Sequence, residues 1–339
     1  MFVQNPTPFV AEAFCTTDAR AADTVVVVVK GTWEADGGGG ALRLADDQRP
    51  VVHAPEYRGA PGASSLTRDT DLVPPKPGTD CLLSGHAYGG RAREVDVRFA
   101  VLSHGRPVVD QRAVVSGRRQ WQTTLGLASV VGPVPFDRVA LVWEHAFGGS
   151  DATPDEPGLR SRAAENPVGV GFRARSSRRP VDESWLPQVE GPRERLTSPD
   201  GRPRPVGFGP VAPDWEPRRS WAGTYDEAWR RTRAPLVPAD FDERFYQSAP
   251  PGLVAVPPLR GDEEVLVEGC GPRPWRARLP GVEVSVALLA GWEADNRTAE
   301  LDTLSVDADA RTVETVWRAS FDVHDRLDRV EGVRVWAAA

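Results

Sequence analysis

The chain has 339 residues, a mass of 36.8 kDa and a formal net charge of −7. Gly and Pro supply 32 residues each, too many for a bundle of long helices, while 40% hydrophobic residues and 11 Trp build a sizeable core and exclude global disorder. The acidic balance, with a pI of about 5.4, argues against general nucleic-acid binding.

In chain order, Met1–Phe9 has neither a basic start nor an apolar stretch before a cleavage site, so it does not read as a secretory signal. The longest purely apolar run, Val25–Val29, is far shorter than the ~20 residues of a membrane helix. A soluble, cytoplasmic protein without a membrane partner is expected. Val25–Val29, ending at Gly31, predicts a strand buried on both faces. Gly37–Gly40 opens no helix and reads as a flexible turn, not a dinucleotide cradle.

Val95, Val97, Phe99 and Val101 alternate with Glu94, Asp96, Arg98 and Ala100, which predicts a half-buried strand. His104-Gly105-Arg106-Pro107 turns the chain, and Val108–Val115 returns as the hairpin partner. Val139, Leu141 and Trp143 continue the alternation, which would place Glu144 and His145 on opposite faces of a strand.

Residues 150–261 are crowded with Pro, Gly and Arg. Between Arg160 and Arg233 fifteen Arg face ten Asp and Glu, an excess of five positive charges. That excess either orients the molecule toward an acidic partner or is neutralised by ion pairs inside the fold. Thr224-Tyr-Asp-Glu227 and Asp240-Phe-Asp-Glu243 have the capping-box form and predict two short helices, ended by Pro235 and Pro250. Tyr225 and Trp229, and likewise Phe241 and Phe245, are spaced four apart to share a face. Trp185, Phe208, Trp215 and Trp221 also call for burial, so this stretch reads as an ordered, loop-rich insert. Beyond it, Val282, Val284, Val286 and Leu288 alternate, as do Val313, Thr315 and Trp317 after a polar turn at Asp307–Arg311. The expectation is one mostly β module over 1–339. Its antiparallel, sandwich-like core spans 1–149 and 262–336, and its loop-rich insert, with the two short helices, spans 150–261.

Few chemical motifs appear. Only Lys30 and Lys76 are lysines, and neither stands in a P-loop. Cys15, Cys81 and Cys270 lack metal or disulfide spacing and read as isolated, mostly buried thiols. His53, His86, His104, His145 and His324 show no paired metal-ligand spacing, and no Gly-x-Ser-x-Gly occurs, so neither a metal nor a cofactor is expected. Asp307 and Asp309 read as turn-forming residues.

Several segments together resemble one family. They are Val27–Trp33, Asp71-Leu-Val-Pro-Pro-Lys76-Pro-Gly-Thr-Asp80 and Ser84-Gly-His-Ala-Tyr88. Then follow Trp143-Glu-His-Ala-Phe147-Gly148-Gly149 with Asp151, Asn166-Pro-Val-Gly169-Val-Gly171-Phe172, and Gly207-Phe208-Gly-Pro210. Trp215-Glu-Pro-Arg218, Gly223-Thr-Tyr225-Asp226 with Trp229, and Asp240–Phe245 complete the order. This series is similar to the bacterial domain-of-unknown-function family numbered twenty-one sixty-nine, whose genes are often found beside type VI secretion genes. The chain departs from the family pattern at Trp143-Glu-His, where Tyr-Glu-Arg is usual, and at Val170, which replaces a usual Arg.

The resemblance implies a cytoplasmic, non-enzymatic adaptor or chaperone that holds a protein effector and helps seat it on the secretion spike. Glycine-hinged loops carrying an embedded Phe suit such a role, because fixed loops present donors, Arg forks and aromatic tips to a partner. They equally suit closing the fold. Two other readings remain: a structural component of the assembled particle, and a hydrolase using His86 or His145 with a nearby carboxylate.

Overall fold

The computed structural model describes residues 1–338 apart from 36–39, 152–160, 176, 178–180, 183, 291–292 and 325. Gly37–Gly39 of the expected flexible turn lie outside the described residues.

The architecture is mostly β and grows from the strand Asp23–Ala35. Its valines explain its place. Val25, Val27 and Val29 face the main core, whereas Val26 and Val28 pack on the opposite face against Val51 and Val316. All five are fully buried, as the unbroken β-branched run predicts. Each contributes on the order of 1.5–3 kcal/mol relative to exposure. One edge of this strand pairs antiparallel with Thr312–Asp322. Its other edge is shared end to end by Val10–Thr17 and Gly40–Leu44.

A curled sheet of twelve strands spreads from this centre. On one side Thr312–Asp322 leads to Glu300–Asp307, which runs parallel to Thr79–Ser84. On the other, Gly40–Leu44 leads through Trp275–Arg278 and Glu264–Glu268 to the hairpin Glu94–Ser103 and Arg106–Ser116. His104 and Gly105 alone make that hairpin's turn, both with positive φ (49° and 76°), so the returning strand starts at Arg106, two residues earlier than the pattern suggests. A second sheet of four strands contains Phe2–Gln4, Gly332–Ala338, Glu283–Ala290 and Glu293–Thr298. Its Val284, Val286, Leu288, Val333 and Val335 belong to the same core as the large sheet, giving two layers.

The described residues of 150–261 carry little regular structure but lie against the sheets. Val254–Ala255 extends the large sheet beside Thr79–Ser84, and Val189–Glu190 pairs with Arg106–Ser116. Phe208 and Leu253 sit in the main core. Two short α-helices occur among the described residues, Arg218–Trp221 and Glu227–Thr232. The first has no capping signal and was not expected. The second starts later than the Thr224 box predicts: Asp226 is its cap, accepting from the Trp229 amide at 2.8 Å, while Thr224 bonds to Asp240 instead. The second predicted helix is a 3-10 turn, Glu243–Tyr246, capped by Asp242. Residues 143–145 also differ from expectation. The strand Arg138–Ala140 ends early, and Trp143–His145 forms a 3-10 turn. No described helix is long and apolar enough to cross a membrane.

Candidate functional site

The motif-bearing loops meet around Asn166. Phe147–Gly148 pairs in parallel with Val170–Gly171. Asn166 is fully buried, and its Nδ2 donates to the carbonyls of Trp143 (2.8 Å) and Phe147 (3.0 Å). A Cβ on Gly148 would overlap the Asn166 carbonyl, and one on Gly169 would overlap the Asn166 side chain. Gly149, at φ 107°, faces the Gly169 carbonyl just as closely. These glycines are therefore fixed by close backbone approach, which only glycine permits. Gly171 (φ 97°) lies against Leu196 and Pro187. Phe147 anchors the assembly in a small core with Trp121, Leu186 and Leu196, beside the half-buried Phe172. Arg202 lies over the Phe172 ring at 5.0 Å. Asp151 is buried and accepts from the Ala174 amide at 3.1 Å.

A second cluster holds the next motifs. Trp143 and Trp215 meet edge to face at 6.0 Å, and the Trp143 indole donates to the Pro210 carbonyl at 3.0 Å. Gly207 leaves room for the Trp143 ring, whose atoms lie 2.7 Å from where a Cβ would be. Arg218 is buried, donating to Asp69, to the Val211 and Phe245 carbonyls, and stacking on the Phe245 ring. Trp229 is half-buried against Tyr225, at 4.6 Å, and Tyr225 is exposed. Most of the sequence-predicted loop residues thus point inward and hold the loops. Tyr225 is the one with a large exposed aromatic surface.

Between these loops and the large sheet lies a cleft of about 330 Å³. Both lysines of the chain are buried at its base. Lys76 donates to Asp80 (2.7 Å) and Thr303 (2.8 Å), and Asp80 in turn accepts from the Ser248 and Ala249 amides. Lys30 bridges Asp71 (2.8 Å) and Glu314 (3.0 Å), and Arg49 and Arg68 also pair with Glu314. Burial by itself raises the Asp71 and Glu314 carboxyls, but the Lys30 charge and hydrogen bonds outweigh it and hold both below their ordinary values. Arg318, equally buried, pairs with Asp302 and the Asp71 carbonyl. Sequence reasoning singled out Lys76 but not Lys30, Glu314 or Arg318. The available signal was the survival of just two lysines among 41 basic residues.

His86 lies at the cleft's edge, its Nδ1 2.6 Å from Asp309, which also receives the Tyr88 hydroxyl at 3.3 Å. Asp307 is turn-forming as expected, accepting from the Asp309 and Ala310 amides. Glu144 turns away to Ser65, and His145 to the Ala140 carbonyl. The cysteines are unpaired, but Cys15 is exposed, contrary to the expectation of mostly buried thiols. Trp185 also departs from expectation, at 49% exposure. In the Arg-rich segment Arg195 and Arg218 reach Glu94 and Asp69 outside it, whereas Arg219, Arg230 and Arg231 pair with Glu216 and Glu227 inside it, so these pairs offset only part of the excess of five. Among the described residues no group of three or more His, Cys, Asp or Glu is placed to hold a metal ion.

A family model described as an uncharacterized protein conserved in bacteria (DUF2169) matches residues 20–318. No curated protein and no solved structure matches the chain.

Proposed function

The chain belongs to this DUF2169 family, and on that premise we propose that it is a non-enzymatic adaptor that holds a type VI secretion effector in the cytoplasm and helps seat it on the spike. The observation that carries the reading is the clamping of the motif loops. Asn166, Gly148, Gly149 and Gly169 lock two chain segments at backbone contact, giving a stiff platform. A stiff platform loses little conformational freedom when it binds a protein. Tyr225, exposed, and the half-buried Trp229 packed against it place an aromatic pair at the surface.

Gene deletion followed by an export assay tests the proposal. Loss of one effector with tube export intact supports it. Unchanged export of every effector encoded nearby rejects it.

One observation favours a second reading. The His86–Asp309 pair beside the cleft has the geometry of a base held by a carboxylate. Ser84 also lines the cleft. Its hydroxyl, however, is turned to the Val306 carbonyl at 3.4 Å. A hydrolase screen of the intact chain against His86→Ala decides this reading: without turnover that depends on His86, it fails.

A further inference from the structure

The cleft of about 330 Å³ between the motif loops and the large sheet has a polar floor. Thr303, Ser305 and Asp307 line it from the strand Glu300–Asp307, while Leu304 between them belongs to the main core on the other face. Ser305 stands directly opposite Glu314 of the strand Thr312–Asp322. Residues opposed in this way share a face, with Cβ atoms about 5 Å apart. Lys30 lines the same floor.

Glu314 is met by more positive charge than it carries negative. Its Oε1 accepts from Arg49 at 2.5 Å, and its Oε2 from Lys30 and Arg68. A guanidinium has five N–H donors, and Arg49 and Arg68 each commit one of theirs to Glu314. Neither guanidinium has a second hydrogen-bond partner among the described residues, and the Ser305 hydroxyl has no partner there. None of these idle donors is among the buried atoms left unpaired, so they reach solvent, and their side chains line the cleft.

Charge sets the sign of what fits. Lys30, Arg49 and Arg68 are three cations set against two carboxylates, Asp71 and Glu314, an excess of one positive charge. Elsewhere around the cleft cations and anions are matched. Lys76 pairs with Asp80, Asp69 with Arg218 and His86 with Asp309, while the unpaired Arg58 offsets Asp307. A monoanion therefore neutralises the excess. A dianion would leave a net negative charge beside side chains as little exposed as Lys30 (2%) and Glu314 (8%). Two arginine forks suit a planar carboxylate, which accepts N–H bonds side by side. The walls Val52, Leu66, Leu82, Leu141 and Val142, in a cleft far larger than a single ion, call for an apolar body behind that group.

We infer that the cleft binds an organic carboxylate, its carboxyl group taken between Arg49, Arg68 and the Ser305 hydroxyl and its apolar part lying against the leucine and valine walls. This stands apart from the adaptor reading, which rests on the clamped loops.

Calorimetry on the full chain tests it with two matched pairs of probes: isocaproate and its amide, and acetyl-leucyl-leucine as the acid and as the C-terminal amide. At least one acid is expected to bind at millimolar concentration or below, and its amide at least tenfold more weakly. Tighter binding of the peptide acid assigns the carboxylate to the end of a polypeptide; tighter binding of isocaproate assigns it to a small free acid. Ser305→Ala removes one donor and leaves every ion pair of Glu314 in place. It should weaken binding of the acid about tenfold, the worth of a hydrogen bond to a charged group, with an unchanged thermal midpoint. Arg68→Gln should bring the acid down toward its amide, with Lys30 and Arg49 still holding Glu314. Equal binding of acid and amide overturns the inference, as does absence of acid binding at millimolar concentration. So does wild-type affinity in Ser305→Ala, or inorganic phosphate binding more tightly than either acid.

Discussion

Lys30 is 2% exposed, and its ammonium is balanced by two carboxylates whose own burial is costly. Lys30→Met would leave Asp71 a buried anion without its ammonium, while Glu314 keeps Arg49 and Arg68. A loss of about 3–5 kcal/mol in denaturant unfolding is expected, since breaking a buried pair leaves an uncompensated charge. The same pair sets a pH response. Both carboxyls titrate lower in the folded chain than in the unfolded one. Their stabilisation is complete above the unfolded values of about 4 and is lost as pH falls through the lower folded ones. Stability measured from pH 6 to pH 2 should therefore drop below about pH 4, and Glu314→Gln should flatten part of that drop; an unchanged slope would dismiss the pair as its source. The thiols separate as clearly. Burial pushes Cys270 up to about 12 and Cys81 well above its ordinary value, whereas Cys15 is exposed. Since only thiolate reacts, a native-state alkylation at pH 8 should label Cys15 alone. Labelling of Cys270 at a comparable rate would contradict the packing around it.

At the scale of elements, the Asn166 knot and the hairpin formed by Gln120–Thr124 and Leu127–Val131 behave in opposite ways. Gly148→Ala forces a methyl group into the Asn166 carbonyl at φ 153°, and a loss of about 3 kcal/mol or more is expected on thermal unfolding. Leu125→Gly relieves a left-handed leucine without removing a contact, so it should raise stability by about 0.5–1 kcal/mol. A destabilised Leu125→Gly chain would mean that the leucine packs against the body of the protein. The two elements were also unequally legible. Period-two patterns located the strands at Val25–Val29, Glu94–Ser103 and Glu283–Ala290, because those residues alternate or are uniformly β-branched. The hairpin carries no such signal: its turn is Leu125-Gly126, and its outer strand has no polar alternation. The capping motifs marked helical turns but shifted their starts, since Asp240 was taken up by Thr224 and left Asp242 to cap. Trp143 broke the strand pattern because its ring is held by Trp215 and the Pro210 carbonyl, contacts more than 60 residues away.

For the whole molecule, the two sheets and the long segment 150–261 share one core, with Phe208 and Leu253 of that segment buried among residues of both sheets. Loops carrying the family motifs are thereby held against a stiff β support. The ordered motifs pointed to the loops as a unit. The inward orientation of Asn166, Trp215 and Arg218 depends on long-range packing that no local pattern encodes. The most direct measurement is purification of the tagged full chain from its native cell, followed by light scattering and mass spectrometry of the eluted complex. One secretion effector bound at fixed stoichiometry is expected. A chain that elutes alone at its own mass of 36.8 kDa, under conditions where the effectors are expressed, would contradict it.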